Sequence, residues 1–243
     1  MYFCAAKIAN KNKKQYHNMA KNQKQQAPEN IEAVSVTEAF IDKYKKEIVY
    51  AVVAIFVLAA AIIGWNYYSN SRNLKAAEAL FPCETYFTEG NYDKALNGDG
   101  TQCVGLLKVV DDFGSTKSGN LARLYAGIAL AQTGKFEEAA TQLEKFDTQD
   151  DALISPATVG LLGNVYANLG QNDKAVETLK KAAKLASNPS LSPTFLIQAG
   201  QILESEGKAD QALELYKQVK DNYPTSMAVQ TMEIDAYIEH VSK

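Results

Sequence analysis

Hydrophobic and polar positions divide this chain into three stretches of different period. Over residues 1–30 the apolar residues stand isolated among Lys, Asn and Gln and follow no period, so this segment cannot bury enough apolar surface to order itself. From Ile48 to Tyr68 the sequence IVYAVVAIFVLAAAIIGWNYY is apolar all round, 21 residues without a formal charge. From Leu74 onward apolar positions recur three and four apart, in stretches separated by Gly-centred turns, which predicts a succession of amphipathic helices. Between the first two stretches, Ser35 followed by Glu38 has capping-box spacing. There Phe40, Ile41 and Tyr44 would form one face of a short helix within residues 31–47.

The central run predicts a membrane-spanning helix at 48–68. At about 1.5 Å per residue it reaches roughly 31 Å, the thickness of a bilayer's hydrocarbon core. Lys43, Lys45 and Lys46 crowd its N-terminal end, while Trp65, Tyr67 and Tyr68 sit at the other, the arrangement of a positive-inside border and an aromatic belt. This polarity places the N-terminus in the cytoplasm and residues 70–243 outside it. A cleaved signal peptide fits poorly, because 47 residues precede the run. Met19-Ala20-Lys21 also reads as a natural start of translation.

The C-terminal stretch repeats itself. Four segments carry Gly, two variable positions, an acid, a further polar residue and then Ala: Gly90-Asn-Tyr-Asp-Lys-Ala95, Gly134-Lys-Phe-Glu-Glu-Ala139, Gly170-Gln-Asn-Asp-Lys-Ala175 and Gly207-Lys-Ala-Asp-Gln-Ala212. Their glycines lie 44, 36 and 37 residues apart. Gly would end one helix and the acid would start the next, so each unit reads as a helical hairpin. Seven residues before the last three turn glycines lie Gly127, Gly163 and Gly200, with Cys83 in that place in the first unit. A small residue there, facing the Ala five positions past the turn, would let the paired helices approach closely. Tyr86, Leu130, Tyr166 and Leu203 stand three positions further along and would fill the space between neighbours. The first unit carries extra residues around Asn97-Gly-Asp-Gly100, which moves its second helix to Gln102–Asp112, with an apolar stripe through Val104, Leu107 and Val109. Beyond Pro224, Met227 to Val241 reads as one capping helix through Ile234, Tyr237, Ile238 and Val241.

The spacing of small, bulky and turn residues resembles the tetratricopeptide repeat, and it covers Leu74 to Pro224. The predicted fold class is therefore all-α: one N-terminal transmembrane helix and a solenoid of about four hairpins with a capping helix. A lysine-rich tail, one anchor and an exterior array are together similar to the membrane-anchored family that includes the ancillary subunit of the SecYEG translocon. They are similar also to repeat proteins common in Bacteroidetes-type bacteria. That resemblance implies a non-enzymatic adaptor at the outer face of the inner membrane, with periplasmic chaperones, translocon components or emerging chains as partners. A scaffold subunit of another envelope complex is the alternative it leaves open.

Charge and reactive residues narrow the reading further. Nine lysines stand against five acids before the span, and 16 Lys and Arg against 23 acids after it. An acidic array of this kind is a poor partner for nucleic acid. The two histidines, His17 and His240, fall on opposite sides of the predicted span, so no cofactor, metal or small-molecule substrate is expected and no Ser-His or Cys-His pair is available for catalysis. Asn97-Gly-Asp99-Gly100 reads as a tight turn rather than a calcium loop, since the later ligands are missing. Cys83 and Cys103 lie on the exterior side, where they would either pair or remain small buried residues.

Function then falls to surface recognition. Projecting the repeat onto the chain puts Glu84, Phe87, Leu124, Ile128, Asn164, Asn168 and Gln201 on the concave face formed by the first helices. The positions at which related grooves carry Lys and Arg to hold a terminal carboxylate are here Leu80, Leu124, Gly160 and Ile197, so such a clamp is not expected. The topology is open to direct test. Protease added to spheroplasts is expected to digest the region after Tyr68 and leave a small protected N-terminal fragment; protection of the whole domain until lysis would reverse the orientation.

Overall fold

The structure, a computed structural model, describes residue 38 and residues 40–243. The lysine-rich tail, Cys4, His17, Met19 and Ser35 lie outside the described residues. By its internal contacts the chain divides into two units, Met1–Asn66 and Tyr67–Lys243. In the first, a helical turn over residues 40–43 brings the rings of Phe40 and Tyr44 to 4.9 Å and leads into helix α1 (Lys45–Thr88). This helix holds a strongly apolar window of 18 residues, none of it buried, and is long and apolar enough to cross a membrane. The helix holds Pro82 in its interior. An interior proline removes one helical hydrogen bond, and here Ala76, Leu80 and Cys83, all buried, hold the helix against its neighbours through that point.

The second unit is all-α among its described residues. After α1 come α2 (Tyr92–Asn97), α3 (Leu106–Phe113), α4 (Lys117–Gln132), α5 (Phe136–Glu144), α6 (Ile154–Asn168), α7 (Asn172–Ala186), α8 (Ser192–Ser205) and α9 (Ala209–Asn222). Two short helices close it, α10 (Met227–Gln230) and α11 (Glu233–Val241). The hairpins are α1 with α2, α4 with α5, α6 with α7 and α8 with α9.

The four hairpin turns share one construction. Gly90, Gly134, Gly170 and Gly207 have φ of +76°, +76°, +70° and +74°, the left-handed region that a side chain resists. The amide that follows each glycine donates back to the carbonyl of Tyr86, Leu130, Tyr166 or Leu203 at 2.8, 2.9, 2.9 and 2.9 Å. Each glycine's own amide donates to the next carbonyl along, of Phe87, Ala131, Ala167 or Glu204. Both bonds together make the Schellman ending, which satisfies carbonyls that a helix end would otherwise leave bare. The bulky position of each first helix thus also supplies the acceptor that fixes the turn.

Close packing within the hairpins differs from the sequence expectation in one respect. Ala139, Ala175 and Ala212 are fully buried, and the carbonyl of Ala175 lies 3.3 Å from a Cβ added to Gly163, but the nearest atoms in each notch belong to larger side chains. A Cβ added to Gly127, Gly163 or Gly200 would lie 2.5 Å from Leu143, 2.7 Å from Leu179 or 2.3 Å from Tyr216. These are the residues nine past each turn glycine. Antiparallel helices joined by a tight turn keep register, so a residue seven before the turn lies level with residues seven to nine after it. A residue five past the turn is still in the first turn of the returning helix.

The first unit solves the same problem covalently. Its second helix is not the single segment Gln102–Asp112 but two pieces, α2 and α3, separated by a loop whose Gly98, Gly100 and Gly105 all have positive φ. A Cβ on Gly98 would meet the carbonyl of Cys103 at 2.6 Å, and one on Gly105 the carbonyl of Leu96 at 2.7 Å, so the loop closes tightly on itself. The left-handed Gly105 delays the helix to Leu106. Val104 is exposed as a result, and Leu106, Val109 and Val110 form the buried face. Cys83, in the small position, is joined by a disulfide to the buried Cys103, with Cα atoms 4.9 Å apart.

Two apolar clusters run through the array and Ile202 packs against both. Polar links tie successive units: Lys174 of α7 reaches Glu144 of α5 at 3.1 Å, and Lys208 meets Asp173 at 3.0 Å. Lys174 also lies 3.9 Å over the ring of Tyr166, whose hydroxyl donates to the same Glu144. At the C-terminal end the expected single capping helix is broken, because Met232 adopts φ +58°. Ile234 is fully buried beneath that break.

Two stability outcomes follow from this packing. Gly163→Leu drives a side chain into Leu179 and is expected to cost about 2–3 kcal/mol through overpacking; Asn168→Leu, on an exposed site, is expected to stay within about 0.5 kcal/mol. Replacing Cys83 and Cys103 together by Ala removes a cross-link that closes a loop of 20 residues and is expected to cost about 3 kcal/mol. Thermal unfolding of the full chain measures all three, and equal melting of the Gly163 and Asn168 variants would show the hairpin register to be wrong.

Candidate functional site: the concave face and its C-terminal groove

The first helices of the hairpins set out the residues expected on the concave face, and the structure gives them unequal surroundings. Phe87 of α1 is half-buried, with its ring 5.8 Å from Tyr92 and 4.9 Å from Tyr125. Leu124 of α4 packs with it against the first apolar cluster. Glu84, Ile128 and Asn164 are likewise half-buried. Asn168 is exposed, but one of its amide protons is given to the carbonyl of Asn164 at 2.9 Å, so this pair is partly engaged with its own helix. Phe87, Leu124 and Tyr125 thereby form one aromatic and aliphatic ledge. Burial holds the Tyr125 hydroxyl above its usual pKa, helped by the nearby charge of Glu84.

Gln201 stands in a different setting. It lies where two adjoining concavities of about 670 and 780 Å³ meet, between α8 and the closing helices. Its amide donates to the Tyr237 hydroxyl at 3.2 Å and bridges the floor. The larger wall is supplied by Thr194, Ile197 and Gln198 of α8, which succeed one another at helical spacing toward Gln201. Across from them stand Met227, Ala228 and Glu233. Apolar and amide groups alternate along this face, and Met227, 79% exposed, offers an adaptable thioether at the mouth.

The floor is held by a chain of contacts beneath it. Tyr216 of α9 is fully buried, stacks on Tyr237 with centroids 5.2 Å apart, and donates its hydroxyl to Glu204 at 3.0 Å. Burial, then the bond to Glu204, pushes the Tyr216 hydroxyl far above its ordinary pKa, so it remains a donor. His240 contacts the other oxygen of Glu204. Glu204 therefore fastens α9 and α11 to α8 and is a positioning group rather than a ligand group.

Tyr237 has the place on the apolar side of the cap that its spacing predicts, packed against the second apolar cluster, and its hydroxyl in addition meets Gln201 in the groove. With one unbroken helix from Met227 to Val241, the cap would offer a single stripe. The break at Met232 divides that segment into α10 and α11; within α11 Ile234 and Tyr237 stand three residues apart on one face, Ile234 fully buried and Tyr237 at the edge of the core, where it also lines the groove.

The Gly98–Gly105 loop is a self-satisfied element and not a ligand site. One oxygen of Asp99 accepts the amides of Thr101, Gln102 and Cys103 at 2.8, 2.9 and 3.0 Å, and the other accepts the hydroxyls of Tyr86 and Thr101, both at 2.9 Å. These bonds, that from the Thr101 amide foremost, hold the carboxyl well below the usual carboxylate range. Among the described residues no group of three His, Cys, Asp or Glu is placed to hold a metal ion.

Comparison with known proteins bears on the fold. The sequence profile of a family described as "Tetratricopeptide repeat-like domain" matches residues 38–236. Among solved structures, MamA protein aligns at 17% identity over 71% of this chain and 87% of its own, with a TM-score of 0.50. Nearly identical TPR-like repeats of a kinesin-light-chain candidate from Podosopora anserina align at 17% identity over 69% of this chain and 93% of theirs, with a TM-score of 0.49. No curated protein matches the chain.

The Asp99 geometry fixes the sign of a pH dependence. Its folded pKa lies below the unfolded value of about 3.9, so its contribution is present at neutral pH and is lost as pH falls below that value toward the folded pKa. Asp99→Asn is expected to melt below wild type at pH 7, and the difference is expected to close as pH is lowered below about 4. A constant difference across that range, followed by calorimetry, would mean that Asp99 does not anchor the loop as an ion.

Proposed function

Since the chain belongs to the tetratricopeptide repeat-like domain family, whose repeats serve protein interaction, we propose that it is a membrane-anchored adaptor that holds polypeptide partners in the groove between α8 and the closing helices. The carrying observation is that groove, where amide side chains alternate with apolar ones on a braced floor. Amides pair with the main chain of almost any peptide and apolar walls accept its side chains, which suits modest affinity for several partners.

The anchor is α1, whose apolar window exposes its whole surface and would be covered by lipid. The array stands on the outer side of the bacterial inner membrane in this reading. The lysines before the span support that orientation, and so does the Cys83–Cys103 disulfide, which persists in oxidising compartments. Partners of that location are periplasmic chaperones, components of the secretion translocon and chains emerging from it. The family's fold is that of a non-catalytic scaffold, and binding is the proposed activity.

Crosslinking in intact cells tests the proposal. Ile197, Gln201 and Tyr237 changed together to Ala are expected to lower partner capture about tenfold or more, the effect of losing a central binding cluster, at an unchanged amount of protein in the membrane. Changing Phe87, Asn164 and Asn168 together reports whether the contact extends along the whole concave face. Capture that survives both changes and is lost when residues 48–68 are exchanged for an unrelated span would assign recognition to the anchor and end the groove hypothesis.

A further inference from the structure

On the opposite side of the hairpins from the groove, a cleft of about 470 Å³ opens between α7 and α9. Its lining is Lys180, Lys181 and Lys184 of α7 with Ser187 beyond it, Gln218 and Tyr223 from α9 and its end, and a floor of Ala183 and Leu196. No carboxylate lines it. All three lysines are exposed, and none is within ion-pairing distance of an acid among the described residues. After the span 16 basic residues are outnumbered by 23 acids, so a cleft lined by three lysines and no acid runs against the array's net charge, while Lys174 and Lys208, which bridge neighbouring units, each meet a carboxylate. The corresponding cleft one unit earlier, between α5 and α7, shows the ordinary arrangement: Lys174 is matched by Glu144 at 3.1 Å and lies over Tyr166.

The repeat itself does not demand these lysines. Ten and fourteen residues past the turn glycine the second unit has Glu144 and Thr148, the third Lys180 and Lys184, and the fourth Lys217 and Asp221. Lys184, in the last turn of α7, complements the negative end of the helix dipole. Lys180 and Lys181 lie a turn earlier, beyond that end effect, and each is a helical neighbour of Lys184; Glu177, a helical neighbour of both on the other side, offsets part of their repulsion, and an anion in the cleft would offset the rest.

We propose that the α7–α9 cleft is a binding site for a phosphate group, free or carried by a lipid headgroup. Lysine ammoniums are compact point charges with rotatable donors, which suit a tetrahedral anion better than the planar fork that a carboxylate prefers. Inorganic phosphate carries between one and two charges at neutral pH and a lipid phosphodiester one, and in both the charge is spread over tetrahedral oxygens that several ammoniums can share. Ser187, Gln218 and Tyr223 add neutral donors around the rim, and the stems of the lysines cover the apolar floor. An acidic polypeptide is the less fitting occupant, because the rest of the array is itself acidic and would repel it.

Acylation rates of individual lysines, read by mass spectrometry on the full chain in lipid discs, test the site. In phosphatidylcholine discs, inorganic phosphate at ten times its half-saturating concentration is expected to slow Lys180, Lys181 and Lys184 about tenfold, the unoccupied fraction at that concentration, while Lys117 and Lys217 react as before. Discs of phosphatidylglycerol without added phosphate give the same protection if a headgroup is the source, and none if the source is soluble phosphate. K180Q combined with K184Q is expected to abolish protection of Lys181; these side chains are exposed, and an unchanged melting temperature confirms that the variant is folded. Equal protection by sodium chloride at matched ionic strength would reduce the effect to screening and overturn the proposal. Protection by polyglutamate but by neither phosphate nor phosphatidylglycerol would overturn it in favour of an acidic chain, and no protection by any of them would overturn it outright.

Discussion

The array depends on one close approach, repeated in three of the four hairpins: a residue without a side chain on the first helix receives a large side chain from the second. Gly127 receives Leu143, Gly163 receives Leu179 and Gly200 receives Tyr216, at separations that would leave no room for even a methyl group. Helix pairs fixed at that distance bring the next unit's first helix into a set position, and the apolar clusters then run continuously from one unit to the next. The Schellman turns hold the register that makes the notch and its filler coincide. The first unit departs from this scheme because Cys83 has a side chain. Its partner is correspondingly a second cysteine brought in by a loop, so that a bond replaces the packing that the other three units use.

Several large polar side chains of the array are spent on this scaffold. Glu144 serves Tyr166 and Lys174, Glu204 serves Tyr216 and His240, and Asp99 serves the amides of its own loop. Each exposed ion pair contributes little alone. Their effect is to fix the orientation of buried tyrosines whose hydroxyls would otherwise lack partners. Two surfaces stand apart from that scaffold: the amide-lined groove at α8, and the lysine-lined cleft between α7 and α9.

Much of this was legible in the sequence because it rests on local rules. Gly followed at short range by an acid and Ala marks a hairpin turn, and the small residue seven positions earlier marks the notch. The identity of the filler was not legible, since Ala175 and Leu179 lie on the same face of α7 and only the three-dimensional register chooses between them. The extra residues of the first unit hid two outcomes at once. Three positive-φ glycines there turn a helix into a closed loop, and the loop delivers Cys103 to Cys83. The cap reads as continuous because its apolar spacing is continuous, and Met232, which adopts φ +58°, has no turn-forming character. Tyr237 keeps the apolar-side place that its spacing predicts, and Gln201 of the projected residues meets its hydroxyl.

The central claim is that a polypeptide occupies the face between α8 and α11. A photoreactive amino acid placed singly at Thr194, at Lys217 and at Ile55 of the full chain, with irradiation in living cells, addresses it most directly. Thr194 is exposed on the groove wall, Lys217 lies on the second helix of the same unit, and Ile55 lies in the apolar run. The account predicts protein adducts from Thr194 that are absent from Lys217. Adducts from Lys217 or Ile55 with none from Thr194 would contradict it.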